Sequence, residues 1–132
     1  IAKRLSNGFS TVATIQNMST TTSAHVDLIY TPSATECPVS KCDKNSDGTV
    51  TSADTITVEN IEIAAGASIQ RNHRLSGTGG NAEPVIPDGW VGSLRVETHS
   101  GATVVPISGF IQLTFLGGAS DSFMAHNAFT LP

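Results

Sequence analysis

Asp43-Lys44-Asn45-Ser46-Asp47-Gly48-Thr49-Val50-Thr51-Ser52-Ala53-Asp54 lies between two runs of a different character, Ala24-His-Val-Asp-Leu-Ile-Tyr30 upstream and Thr55-Ile-Thr-Val58 downstream. Both flanking runs are rich in β-branched or aromatic residues and alternate apolar with polar, the pattern of half-buried strands. In the upstream run Val26, Leu28 and Tyr30 are expected to face a core while His25 and Asp27 face water. The polar stretch is therefore read as an insertion between two strands, about residues 36–54, and the chain as a β protein carrying that insertion.

Oxygen-bearing side chains occupy the first, third, fifth, ninth and twelfth positions of the stretch, with Gly48 at the sixth. A hard cation such as Ca2+ takes six to eight oxygens, and a twelve-residue loop turning sharply at a glycine can wrap them around it. Asp43, Asn45 and Asp47 each offer a side-chain oxygen, Thr49 a backbone carbonyl, Thr51 a hydroxyl or a bridging water, and Asp54 the closing carboxylate. A solvated acidic turn explains the first half equally well, but gives no reason for a further acid at position twelve. The spacing resembles the EF-hand loop, and the Asp at position twelve is similar to the loops of dockerin modules. The setting departs from both, because strands replace the paired helices of an EF-hand and the chain has no second loop of the kind a dockerin carries. A sensor acts by opening its helix pair, so the ion is expected here as a fixed brace.

Outward from the loop, Phe9–Asn17 reads as a first strand, and the polar Ser19–Ser23 turn is expected to lead from it through a hairpin into the strand at Ala24. After the loop, apolar positions Ile56 and Val58 are followed by Ile61 and Ile63, so the alternation skips one residue near Glu59-Asn60 and predicts a β-bulge. Ser68–Leu75 is strand-like without an assignable face. Trp90–Glu97 places Leu94 and Val96 opposite Arg95 and Glu97. Ala102–Ile107 is expected as a short edge strand limited by Pro106; Phe110–Leu116 and Ser122–Leu131 complete the series. No segment sustains helical periodicity. About seven or eight short strands with Gly- and Pro-rich turns predict an all-β, two-sheet β-sandwich occupying residues 1–132 as one domain, with the calcium loop inserted.

The chain has 132 residues, a net charge of −4 and only 14% charged side chains. Asp43, Asp47 and Asp54 contribute three of the negative charges, so a bound divalent ion leaves about −2. Lys3, Arg4, Lys41, Lys44, Arg71, Arg74 and Arg95 are scattered with no basic stripe, which disfavours nucleic acid as a partner. No run approaches the ~18 apolar residues of a membrane span, so membrane insertion is not expected. The sequence begins at Ile1 without a leader, as expected of a mature product or a piece of something larger. Cys37 and Cys42, the only cysteines, immediately precede Asp43 and are expected to form a disulfide pinning the loop's entry, a stabilisation of about 2 kcal/mol by the chain-entropy estimate. A disulfide beside a calcium site points to an extracellular or cell-surface setting.

Catalytic constellations do not assemble: there is no G-x-S-x-G, H-E-x-x-H, G-x-x-x-x-G-K-[ST] or G-x-G-x-x-G. His25, His73, His99 and His126 read as strand or turn residues. Glu59 with Glu62, or Glu83 with Asp88, are explained by solvated faces without invoking a glycosidase pair. Trp90 with Tyr30 is the candidate ligand platform, since stacked aromatics are what a glycan-binding module requires, and Trp90 beside Pro87-Asp88-Gly89 reads equally as a cap on one end of the core. Asn17-Met-Ser19 is a glycosylation sequon. The two ends, Ala128-Phe-Thr-Leu-Pro132 and Ile1-Ala-Lys-Arg-Leu5, read together as a connector between a last strand and a following first strand. Such ends are expected of a module from a head-to-tail series, and Phe9–Asn17 with its following Thr/Ser-rich hairpin, together with the Trp90–Val96 and His126–Phe129 stretches, is similar to β-sandwich repeats of secreted bacterial surface proteins. That resemblance implies a non-enzymatic structural subunit or repeat of a surface filament, stalk or layer, a homopolymer whose partners are copies of itself, possible through terminal strand exchange. The second reading is a glycan- or protein-binding sandwich module.

Overall fold

The computed structural model describes residues 2–3, 9–73, 86–115 and 122–127. The described chain has almost no helix, and its regular structure is nearly all strand: β1 Ala2–Lys3, β2 Phe9–Asn17, β3 Ala24–Pro32, β4 Ile56–Ile63, β5 Ser68–Asn72, β6 Val91–Thr98, β7 Ile107–Phe115 and β8 Ser122–Asn127. A single helical turn, α1 at Val39–Cys42, and a 3-10 turn at Ser52–Asp54 both lie in the stretch between β3 and β4. The strands form two antiparallel sheets, ordered β1-β6-β3-β4 and β5-β2-β7-β8. The expected strand at Ala102–Ile107 is not formed. Ala102 instead closes a turn onto the His99 carbonyl, and β7 begins only after Pro106, which has no N–H to give a ladder.

β3 occupies the middle of the first sheet and shows why: alternate residues from Ala24 to Pro32 are buried, with Leu28 and Tyr30 wholly so. Its core side chains join Ile15 of β2, Ile63 of β4, Ile86 and Trp90 in one apolar cluster drawn from both sheets. Trp90 lies edge-on to Tyr30, ring centroids 6.1 Å apart. Its indole is folded back over Gly92, where a Cβ would stand 2.4 Å from the ring and 2.2 Å from the Thr31 carbonyl, so this strand position admits only glycine.

The bulge falls where the alternation breaks. Val26 pairs with Ile61 and Leu28 with Val58, so Glu59 and Asn60 together stand opposite Asp27. Asn60 takes φ 55°, a left-handed conformation that asparagine tolerates, and its N–H donates to Asp27 Oδ1 at 2.8 Å. The same carboxylate oxygen accepts from His99 Nδ1 at 2.8 Å, and His25 Nδ1 lies 2.9 Å from Asn60 Oδ1. The Asn60 N–H and then His99 hold the Asp27 carboxyl below its ordinary pKa. Outer-face polar residues thus staple the irregularity.

The hairpin expected between the first two long strands is absent, because β2 and β3 belong to different sheets. Asn17 accounts for the crossover. It is wholly buried, and its amide donates to the carbonyls of Thr22, Ile63 and Ala64 while its oxygen accepts from the Ser19 N–H. One side chain therefore satisfies the backbone of two of the chain crossings at this end of the molecule, β2 to β3 and β4 to β5.

His73, immediately after β5, is also wholly buried, between the Thr11 hydroxyl on Nδ1 (2.7 Å) and the Tyr30 hydroxyl near Nε2 (3.1 Å). A neutral ring offers one donor and one acceptor, matching one hydroxyl as acceptor and the other as donor. Burial pushes its pKa down from 6.5 to about 4. Between those values the unfolded chain binds a proton that the folded chain refuses, so stability falls as pH drops from about 6.5 towards 4. Denaturant titrations at pH 7 and pH 4 are expected to show a loss of roughly 3 kcal/mol from this residue. The His73→Gln variant, less stable at pH 7, should lose correspondingly less than the wild type on acidification.

Candidate metal centre

The insertion between β3 and β4 is built from its ends inward. The Ser33 N–H donates to the Val91 carbonyl, and α1 is closed by Cys42 and Asp43 N–H groups on the Pro38 and Val39 carbonyls. Cys37 and Cys42, Cα atoms 6.0 Å apart, are joined by a disulfide across this turn. Both half-cystines are buried and, with Val50, belong to the main core cluster, so the insertion is anchored by apolar packing as well as by the covalent link. The Lys41 stem lies against Gly89, one residue before Trp90, tying the turn to the start of β6.

From Asp43 onward side-chain oxygens wind the backbone. The two Asp43 carboxylate oxygens accept from the N–H groups of Asp47 (3.2 Å) and Gly48 (2.7 Å). Asn45 Oδ1 also accepts from Asp47 N–H, at 3.0 Å, and its amide donates to Asp47 Oδ2 at 2.9 Å. Asp47 Oδ1 accepts from both the hydroxyl and the N–H of Thr49, which lower its pKa. Left-handed backbone at Ser46 (φ 61°) and Gly48 (φ 88°) lets successive N–H groups turn inward to these acids.

Asp54 is different in kind. It is 1% exposed, whereas Asn45 to Thr49 are exposed to solvent. Its Oδ1 accepts from the N–H groups of Lys44 (2.8 Å) and Asn45 (3.2 Å), and its Oδ2 from Thr51 N–H (2.9 Å). With the Thr51 hydroxyl accepting from Ala53 N–H, this forms a reciprocal capping box on the 3-10 turn. The Thr51 N–H leads in holding the Asp54 carboxyl below its ordinary pKa, with Asn45 and Lys44 adding to it against the effect of burial. One buried carboxylate therefore joins the first turn of the loop to its last.

Among the expected ligands, Asp43, Asn45, Asp47 and Thr49 are hydrogen-bonded to one another, while the exposed Thr51 and the buried Asp54 form the clasp. All are hard oxygen donors, the chemistry that suits Ca2+ over softer metals. Among the described residues no three His, Cys, Asp or Glu side chains converge closely enough to hold an ion. In this conformation the carboxylates satisfy backbone N–H groups.

The aromatic pair expected as a ligand platform is corrected. Trp90 and Tyr30 are both wholly buried and pack edge-to-face, so neither offers a ring face to a ligand. Sequence reading set Tyr30 on the core face of its strand but did not bring Trp90 beside it, since Trp90 precedes β6 and depends on Gly92 for its position. It also missed Asn17 and His73, whose roles rest on partners far away in the chain. No described helix is long and apolar enough to cross a membrane. Comparison of the chain with known protein families, curated proteins and solved structures finds no match in any of the three.

The loop's clasp makes a specific prediction. In the Asp54→Ala variant the amide protons of Lys44, Asn45 and Thr51 lose their acceptors. Hydrogen exchange should show these three losing protection at neutral pH, while Leu28 and Tyr30 in β3 keep theirs. Unchanged protection at the three amides would show that another group closes the loop.

Proposed function

We propose that the protein is an extracellular structural subunit or repeat, a two-sheet β-sandwich braced by calcium and a disulfide, which assembles with copies of itself into a surface filament, stalk or layer. The observation that carries this reading is how the insertion is built in. Asp54, the buried disulfide and Val50 make the oxygen-rich loop a fixed part of the fold, and a rigid loop of hard donors suits a brace. The placement of the chain ends supports assembly, because β1 lies at one edge of the first sheet and β8 at one edge of the second. Edge strands are where another chain can add by backbone pairing. β8 is paired with β7 along all six of its residues, so exchange of β8 itself would have to break that ladder. The burial of Trp90 and Tyr30 removes the aromatic pair on which the glycan-binding alternative rested.

Light scattering and negative-stain imaging of the purified protein, with calcium and after chelation, test this reading. Polymers are expected with calcium, and polymers that shorten or dissolve on chelation would make the loop part of assembly. A monomer at all concentrations and under both conditions would refute the structural reading. Isothermal titration should detect Ca2+ binding that the double variant Asp43→Ala/Asp47→Ala loses; equal heats from both proteins would exclude the loop as the site.

A further inference from the structure

Two histidines face each other on the outer side of the first sheet. β3 and β6 run antiparallel with Val26 opposite Thr98, so the next pair along the ladder is His25 and His99, and the His99 N–H donates to the His25 carbonyl at 2.8 Å. His25 alternates with the buried Ala24 and Val26, which sets its ring outward, and the His99 ring reaches the outward carboxylate of Asp27. On the other flank of β3, Glu62 of β4 stands opposite His25 and is exposed. Glu62, His25 and His99 therefore form one row across three strands.

Both rings are held by the same nitrogen. His99 Nδ1 lies 2.8 Å from Asp27 Oδ1, and an ionised carboxylate only accepts, so Nδ1 carries the proton. His25 Nδ1 lies 2.9 Å from Asn60 Oδ1, which is again an acceptor. In the neutral ring a proton on Nδ1 leaves the lone pair on Nε2. Asp27 and Asn60 are themselves placed by the bulge, where the Asn60 N–H donates to the same Asp27 oxygen. An oxygen acceptor behind one ring nitrogen, with the other nitrogen unprotonated, is the arrangement that orients imidazoles as metal ligands and raises their basicity. Stapling the bulge alone needs only a donor at position 99. It gives no reason for a second imidazole, held in the same way, directly opposite.

We propose that His25 and His99 chelate a borderline divalent metal ion of the zinc type through Nε2, with Asn60 and Asp27 as the positioning residues behind them. Directly opposite side chains on a sheet start from Cβ atoms about 5 Å apart. Two nitrogens bound at about 2.0–2.1 Å to one tetrahedral ion lie about 3.3 Å from each other, and a small inward lean of two side chains of equal length closes that difference. Among the described residues no third His, Cys, Asp or Glu converges on the pair as it stands. Glu62 completes the set by turning its exposed, unbranched side chain towards His25, and water takes the fourth position. Imidazole nitrogen suits Zn2+, Cu2+ and Ni2+ but not Ca2+, so this site is separate from the Asp43 to Asp54 loop in chemistry as well as in place, and it does not depend on the assembly reading.

Zinc chloride titrated into the full chain at neutral pH, with Ca2+ in excess to occupy the loop, tests the site by calorimetry and by imidazole nitrogen NMR. Expected are one zinc per chain, joint movement of the His25 and His99 Nε2 resonances, and an affinity lower by about tenfold or more in each of His25→Ala and His99→Ala, once circular dichroism shows that they fold as the wild type does. Asn60→Gly keeps the left-handed backbone while removing the oxygen behind His25. It should weaken zinc by about tenfold and leave the His25 ring as a mixture of tautomers, a signature that a merely structural role for Asn60 would not produce. Zinc binding that survives both histidine variants, that falls in only one of them, or that is absent from the wild type would overturn the chelate. If a variant misfolds, the wild-type Nε2 resonances decide: movement of both supports the site, and movement of one or neither refutes it.

Discussion

The pairing of β3 with β4 is the contact that the rest of the structure depends on, and it has to be made across an inserted stretch far longer than a tight hairpin loop. Closing a long flexible loop is entropically unfavourable. Three short-range devices remove that freedom: the disulfide across α1, the apolar anchoring of Cys37, Cys42 and Val50, and the Asp54 carboxylate on the N–H groups of Lys44, Asn45 and Thr51. With the insertion held in this way, β4 can return beside β3 in a register that buries Val26, Leu28, Tyr30 and Ile63 together.

Polar side chains serve the same end by satisfying backbone where the chain changes sheet or strand: the buried Asn17 does so at two crossings, and the half-buried Asp27 at the bulge. His73 differs, because it ties strands of the two sheets through hydroxyls of Thr11 and Tyr30 in a setting where only the neutral ring is tolerated. Each is high in consequence because an unsatisfied polar group in a core loses far more than a satisfied one gains.

Much of this was legible in the residues. The alternation of Ala24–Tyr30 assigned β3 and its buried face, the skipped position near Glu59-Asn60 located the bulge, and the spacing of Cys37 and Cys42 before Asp43 indicated the disulfide. The oxygen-bearing positions of Asp43 to Asp54 were visible as a loop of hard donors. Their separation into an exposed group and a buried clasp was not, because side-chain direction depends on the left-handed turns at Ser46 and Gly48. The strand proposed at Ala102–Ile107 failed for a local reason, the missing N–H of Pro106.

By itself the sequence determined most of the strand segments, the apolar faces of β3 and β6, and that a polar, disulfide-pinned loop interrupts the series, because period-two alternation and turn chemistry are properties of neighbouring residues. Only the tertiary structure decided which strands share a sheet, since β2 and β3 are consecutive yet separated, and sheet membership turns on contacts such as Asn17 to Ile63 between distant positions. It also decided that Trp90 packs against Tyr30 in the core and that Asp54 is a clasp. Each of these depends on what a second, remote segment places beside the residue, and local pattern carries no record of that.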